Sequence, residues 1–261
     1  MRFSARGRVH RAIFLLSVVG LAGQLAACNR VLGKEYEYEE DATLALDGSA
    51  VVNINASIAS LVALRGMDLD ANARTRFDQQ YVANVRRQAE AAGCRVERVS
   101  STSWHRSGRR FIQIRLFVPD MRAAAQCGLL SWSKYLYIDS GTEISLHQDV
   151  GASAGKDVPA VNWDGREIVA FKLHLPSKIT FHNMRDIDSG LAMAPLRGNI
   201  LAWEQRLTDR RAGTPLVMEM RMDRESILRR TMLLFAAAFA AAIIVMGGAI
   251  WWTLKRPRRP A

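Results

Sequence analysis

Apolar and polar residues alternate with a period of two through most of the chain between residues 35 and 226. This period predicts half-buried β-strands, because successive side chains of a strand point to opposite faces of its sheet. Asp47-Gly48 separates the first two such segments, and this dipeptide is typical of the tight turn of a β-hairpin. The pattern predicts eight further strands, at 95–104, 110–118, 132–139, 143–150, 167–175, 178–182, 199–207 and 216–222.

Two segments have the helical spacing of apolar residues instead. Residues 58–66 form a short apolar run that ends at a glycine, and a second helix is expected from Asp78, a favoured N-cap residue, to about residue 92. A third, short helix follows Pro119. Because hairpins follow one another and helices are only inserted between them, the sequence predicts an α+β fold: a curved antiparallel sheet with two or three helices.

The C-terminal segment 231–254 is 24 residues long and has no charged side chain. At about 1.5 Å per residue, a helix of this length spans the hydrocarbon core of a bilayer, so residues 227–254 are predicted to be a transmembrane helix. Basic residues follow at once, in a tail (255–261) that is expected to be cytoplasmic. The residues expected at the membrane interface are Trp251, Trp252, Lys255 and Arg256.

The N-terminus has the pattern of a secretory signal peptide, predicted at residues 1–27. Four arginines and no acidic residue precede the apolar run 12–22, which is too short to span a bilayer comfortably. Leu25-Ala26-Ala27-Cys28 resembles the bacterial lipobox, in which the cysteine is lipidated and becomes the mature N-terminus. The alternative is an ordinary signal peptide with an incidental cysteine. With lipidation at Cys28, a linker (28–33) would lead into one exposed domain (34–226).

The net charge of +11 first suggests a partner that is a nucleic acid or an acidic membrane surface. The signal peptide and the tail 255–261 carry +4 each, which leaves +3 for the rest of the chain. Most of the basic charge is therefore a topology signal, and no nucleic-acid partner is predicted. The acidic run 35–41 is expected to lie on a solvated strand face, with cation binding as the alternative.

Two other cysteines, Cys94 and Cys127, fall in the exposed domain, in a compartment where disulfides persist. They are a candidate disulfide pair, and the alternative is two buried free thiols.

Neither a metal site nor a catalytic site is predicted. The histidines of the domain are scattered without HxH, HxxxH or HExxH spacing, and the sequence contains no GxSxG or SxxK motif. No cofactor is expected and an enzyme is disfavoured; the residues whose replacement would test for an activity are His147, Asp157, His174 and His182.

Several apolar residues lie in or beside predicted loops, where they could line a lipid-sized cavity or contact a bilayer. Their assignment to the hydrophobic core is favoured over a cavity. They are Ile58, Leu61, Val62, Leu64, Met184, Ile187, Leu191 and Met193.

Three short motifs accompany this layout: the hairpin 38–55, Leu-Pro-Ser-Lys-Ile-Thr at 175–180 and Gly-Asn-Ile-Leu-Ala-Trp at 198–203. In these motifs the chain resembles the LppM-type bacterial lipoproteins, which combine a lipobox, an extracytoplasmic α+β domain and one C-terminal membrane helix. The middle of the domain, 70–165, has no matching motif. The resemblance implies a domain that binds lipid or glycolipid, and it carries no catalytic residue over to this chain.

The sequence therefore favours an envelope lipoprotein of the bacterial inner membrane, anchored at both ends, whose domain binds a lipid or another hydrophobic envelope component. Membrane lipid is the expected partner. The alternative function is a non-catalytic assembly or scaffolding subunit of a cell-envelope complex, with an envelope protein as its partner.

Overall fold

Ten β-strands form in the described part of the computed structural model, which comprises residues 34–72, 78–106, 109–158 and 161–255. The predicted hairpin at Asp47-Gly48 is present, and Gly48 takes the positive φ of 85° that favours glycine in such a turn. The strands are β1 (Tyr36–Leu44), β2 (Ala50–Ser57), β3 (Val96–Arg106), β4 (Arg109–Val118), β5 (Ser133–Asp139), β6 (Glu143–Val150), β7 (Ile168–His174), β8 (Ser177–His182), β9 (Ile200–Arg206) and β10 (Leu216–Ser226).

The helices are α1 (Ile58–Arg65), α2 (Gln79–Ala91), α3 (Leu207–Arg211) and α4 (Ile227–Lys255), with a 3-10 helix at Met121–Gln126. Local chemistry explains their ends. The Ser57 hydroxyl accepts a hydrogen bond from the Ser60 amide at the start of α1, and Gly66 ends that helix with a φ of 68°. Asp78 caps α2 as predicted, because its carboxylate accepts a hydrogen bond from the Tyr81 amide at 3.0 Å.

The strands form two sheets. Sheet A has the order β3-β4-β2-β1-β7-β9, and sheet B has the order β5-β6-β10-β8. All strand pairs are antiparallel except β1 and β7, which run parallel. The predicted α+β class is therefore confirmed. The division into two sheets and the parallel pair were not foreseen, because β1 and β7 are far apart in sequence and no turn motif marks their pairing.

One apolar core fills the space between the two sheets. Tyr38, Ile54 and Ile114 reach it from sheet A, and Ile144 and Met220 reach it from sheet B. Ile58, Leu61 and Leu64 of α1 are buried in this core, in agreement with the favoured assignment, and Val62 is buried in the same helix. Met184 is buried as well, whereas Leu191 is 69% exposed.

Cys94 and Cys127 form a disulfide in the structure, with their Cα atoms 4.4 Å apart. The bridge joins the residues that follow α2 to the end of the 3-10 helix. Glycine allows this close approach, because a Cβ atom on Gly93 would lie 2.9 Å from the carbonyl oxygen of Gln126.

The C-terminal helix α4 directly continues β10, and the Ile227 amide donates to the carbonyl oxygen of Pro176. Its segment Thr231–Trp252 is long and apolar enough to cross a membrane, and none of this segment is buried against the domain. Trp251 and Trp252 are exposed, and the ammonium group of Lys255 lies 4.1 Å from the Trp251 ring centroid. Cys28 and Arg256 lie outside the described residues.

Candidate functional site

A small cavity lies at the seam between the two sheets and has a volume of about 30 Å³, which is room for about one water molecule. Alternating strand residues turn apolar side chains into it from both sheets. Its apolar lining comprises Ala42, Val52, Met121, Leu130, Leu146, Phe171, Leu173, Trp203, Met218 and Met220, and its polar lining comprises Glu40, Tyr135, Gln148 and Lys172. None of the eight loop-associated apolar residues singled out in the sequence lines this cavity.

Glu40 is the acidic group of this cavity and is only 5% exposed. Its Oε1 atom accepts hydrogen bonds from the Tyr38 hydroxyl at 2.7 Å and from the Trp132 indole at 3.0 Å. Burial raises the pKa of the Glu40 carboxyl from 4.5 to about 7, and this effect outweighs the lowering by the two donors and by the charge of Arg65. The cavity therefore holds a carboxyl group that changes charge near neutral pH.

Two arginines contact the ring of Trp132, the residue whose indole donates to Glu40. The Cζ atom of Arg65 lies 4.4 Å from the Trp132 ring centroid, and that of Arg210 lies 5.7 Å from it. Such cation–π contacts are favourable, and more so when they are desolvated. Arg65 also donates from Nη2 to the carbonyl oxygen of Gly128 at 2.7 Å. The residues around Glu40 therefore form a connected polar group inside an otherwise apolar core.

The Glu40→Gln variant is expected to be more stable than the wild-type protein at pH 8, by about 3 kcal/mol. The folded carboxyl keeps its proton up to about pH 7, whereas in the unfolded chain it ionises near 4.5. The unfolded chain thus binds fewer protons, and stability falls as pH rises through this interval. Glutamine removes this decline and still accepts the two hydrogen bonds. Urea unfolding between pH 5 and 8 measures the effect, with the exposed Glu97→Gln as the control. Equal pH slopes for wild type and Glu40→Gln would contradict the assignment.

A second buried polar cluster surrounds Arg109, at the start of β4. Its Nε atom donates to Oε2 of Glu37 at 2.9 Å, and its Nη1 atom donates to the Asn162 carbonyl at 2.9 Å and lies 3.7 Å from Oε1 of Glu167. The Trp163 indole also donates to Glu37, at 2.9 Å. Glu37 and Glu167 are each about 1% exposed. The hydrogen bonds and ion pairs of this cluster link β1, β4 and the segment before β7.

Burial of Glu37 and Glu40 shows that the prediction for the acidic run 35–41 was wrong, because only part of this run lies on a solvated face. Both faces of β1 carry acidic residues, and a period-two pattern of mixed polar residues does not indicate which face is covered. The presence of tyrosines between the acids was the signal available, since tyrosine hydroxyls in a core need partners.

The three histidines proposed as test positions for an activity lie apart from one another. His147, on the outer face of sheet B, sits between Asp149 and Glu219 at 3.1 and 3.2 Å. His174, on sheet A, contacts Asp41 at 2.8 Å, and His182 ends β8 in sheet B. Asp157 is exposed, 3.7 Å from Arg211. Within the described ranges, no three His, Cys, Asp or Glu side chains are placed to hold a metal ion.

Comparison with known proteins gives one distant structural likeness. No protein-family model matches the chain, and no curated protein gives a significant match. Among solved structures, the chain is similar to the folded domain of the Mycobacterium tuberculosis LppM protein, determined by NMR, with 13% identity and a TM-score of 0.37. The match covers 73% of this chain and 91% of that domain. A likeness this distant says nothing about a ligand, so function has to be inferred from the residues themselves.

Proposed function

We propose that the chain is a membrane-anchored protein whose domain binds a lipid or another hydrophobic component at the seam between sheets A and B. The cavity at this seam, lined by Met121, Met218 and Met220, carries the proposal. Methionine side chains are unbranched and adapt their shape to different apolar partners. Sheets A and B are separate hydrogen-bonded units, so an acyl chain can enter between them without breaking a strand ladder.

The cavity is too small for an acyl chain, so lipid binding requires the side chains that line it to move. About 30 Å³ accommodates a water molecule but not an acyl chain, so the methionines have to change rotamer as the ligand enters. Glu40 adds a polar group to this apolar site, and a few polar groups among apolar ones are typical of ligand sites. We propose that the ligand's polar end lies near Glu40.

Anchoring of both chain ends at the membrane would favour this ligand. We propose that α4 spans the inner membrane, that Cys28 is lipidated, and that the domain lies on the extracytoplasmic side. A span alone anchors the chain, so a second anchor would mainly restrict the domain to the membrane surface, where a lipid ligand is available.

Filling the cavity is expected to block binding. Met218→Trp adds volume at the seam and should reduce lipid labelling of the domain several-fold, with a stability loss of about 1–3 kcal/mol from overpacking. The full-length chain is labelled in membranes with a phospholipid carrying a photoreactive acyl chain, and the crosslinked domain peptides are identified by mass spectrometry. Val217→Trp is the matched control, because Val217 is the neighbouring residue of β10 and is exposed. Labelling that is confined to α4, or that is equal in the two variants, would exclude the seam as the site.

A second candidate function, contact with an envelope protein, is favoured by the edge strand β5. Leu136 and Ile138 project from this strand and are 55% and 48% exposed. Exposed apolar side chains on an edge strand are typical of surfaces that pair with another chain. Crosslinking from these two positions in cells would capture such a partner, whereas the lipid-labelling experiment does not depend on them.

A further inference from the structure

Arg210 is the most unusual charged residue of the domain, because its side chain is 0% exposed. Its Nη1 atom donates to the carbonyl oxygen of Val150 at 3.3 Å, but its Nε and Nη2 atoms have no hydrogen-bond partner among the described residues. Leaving buried donors of a charged group unpaired is costly. An arginine in this state therefore requires an explanation.

No carboxylate in the described part of the chain pairs with this charge. All 25 acidic residues of the sequence fall within the described ranges, and none of them forms an ion pair with Arg210. Burial lowers the pKa of the Arg210 guanidinium, and no carboxylate counteracts this effect. Arg65, which contacts the same Trp132 ring, brings a second positive charge, and its Nε atom also has no hydrogen-bond partner within the described ranges.

The positions of the two unpaired donors indicate which chemical group could accept hydrogen bonds from both of them. Nε and Nη2 lie along one edge of the guanidinium plane, and their two N–H groups form the fork that binds a carboxylate or a phosphate through two parallel hydrogen bonds. A water molecule would accept hydrogen bonds but would leave the buried charge without a counter-ion.

We propose that the Nε–Nη2 edge of Arg210 binds a single oxyanion, a phosphate or a carboxylate, with Arg65 supplying additional positive charge nearby. This site is distinct from the seam cavity, which Arg210 does not line. Segment 151–157, which has no helix or strand, lies close by: its Ala154 amide donates to the carbonyl of Leu64, and Asp157 contacts Arg211.

The test is thermal unfolding of the full-length chain in a maltoside detergent, followed by tryptophan fluorescence. Sodium phosphate replaces sodium chloride at constant ionic strength. We expect a saturable rise in Tm, of about 3–6 °C at ten times Kd. If phosphate and chloride give the same Tm, the unpaired donors are hydrated by water only and the proposal is overturned.

Two variants locate the site. Arg210→Lys keeps the positive charge but loses the fork, and we expect it to weaken phosphate binding at least tenfold. Arg211→Met changes the next residue of α3, whose guanidinium lies over the Trp163 ring, and it should respond as the wild type does. An unchanged response in Arg210→Lys would place the anion elsewhere and overturn the proposal.

A further pair of measurements distinguishes the source of the oxyanion. Phosphatidylglycerol and diacylglycerol, of which only phosphatidylglycerol carries a phosphate, are added in mixed micelles. Displacement of phosphate by phosphatidylglycerol alone would assign the site to a lipid headgroup, and displacement by neither lipid would assign it to a free small anion. Because Met218→Trp reports on the seam, failure of lipid binding there and failure of the oxyanion site are separate results.

Discussion

Replacing Arg109 with methionine is expected to lower the free energy of unfolding by about 3–5 kcal/mol. Arg109 is 6% exposed and contacts Glu37 and Glu167, two carboxylates that are almost completely buried. Methionine fills part of the space but leaves both acids without their positive partner. The penalty arises mainly from these uncompensated carboxylates and not from the loss of attraction itself.

The loss should depend on pH with a definite sign. Burial already raises the pKa of Glu37, and Arg109 is one of the groups that lower it. Without Arg109 that pKa rises further, so the folded variant holds protons that the unfolded chain has released. The destabilisation is therefore expected to be smaller at pH 5 than at pH 8, and urea unfolding at the two values measures the difference.

A matched variant on the same strand gives the control. Arg115 pairs with Glu97 at 2.9 Å, but both side chains are more than 40% exposed. Exposed pairs contribute about 0–1 kcal/mol, so Arg115→Met should change stability by less than 1 kcal/mol. If Arg109→Met were no more destabilising than Arg115→Met, the Arg109 cluster would not stabilise the junction of β1, β4 and the segment before β7.

The features that sequence predicts well are those with local causes. The turn at Asp47-Gly48, the cap at Asp78 and the end of α1 at Gly66 depend on residues within a few positions of each other. The assignment of strands and helices to an α+β fold follows from these signals. The parallel pairing of β1 with β7 joins Glu39 to Ala170, and no local signal specifies such a distant partner.

The candidate sites were harder to predict for a related reason. Glu40 and Arg210 belong to ordinary polar segments, and only the packing of distant elements around them buries their charges. The seam cavity likewise requires residues from both sheets, whose facing positions depend on strand order. Burial of a charge is a tertiary property, so a sequence pattern alone assigns such residues to the surface.

Removal of the Cys94–Cys127 disulfide is expected to lower the free energy of unfolding by about 3–4 kcal/mol. The two cysteines are 33 residues apart, and without the bridge the unfolded chain regains the conformational freedom of that loop. The double variant Cys94→Ser/Cys127→Ser should unfold at a lower urea concentration than wild type, and reductant should affect only the wild type. Cys28→Ser, outside the domain, is the control and should leave the domain's unfolding midpoint unchanged.

The same variant connects stability to the proposed lipid site. The bridge holds the end of the 3-10 helix that carries Met121, and Met121 lines the seam cavity. Without the disulfide, only non-covalent contacts hold the 3-10 helix beside the seam cavity. The domain should therefore open at this helix at a lower free-energy cost. We expect Cys94→Ser/Cys127→Ser to be labelled by the photoreactive phospholipid at least as strongly as wild type at temperatures where it remains folded. A loss of labelling in the folded variant would show that the seam has to be held closed on this side to bind lipid.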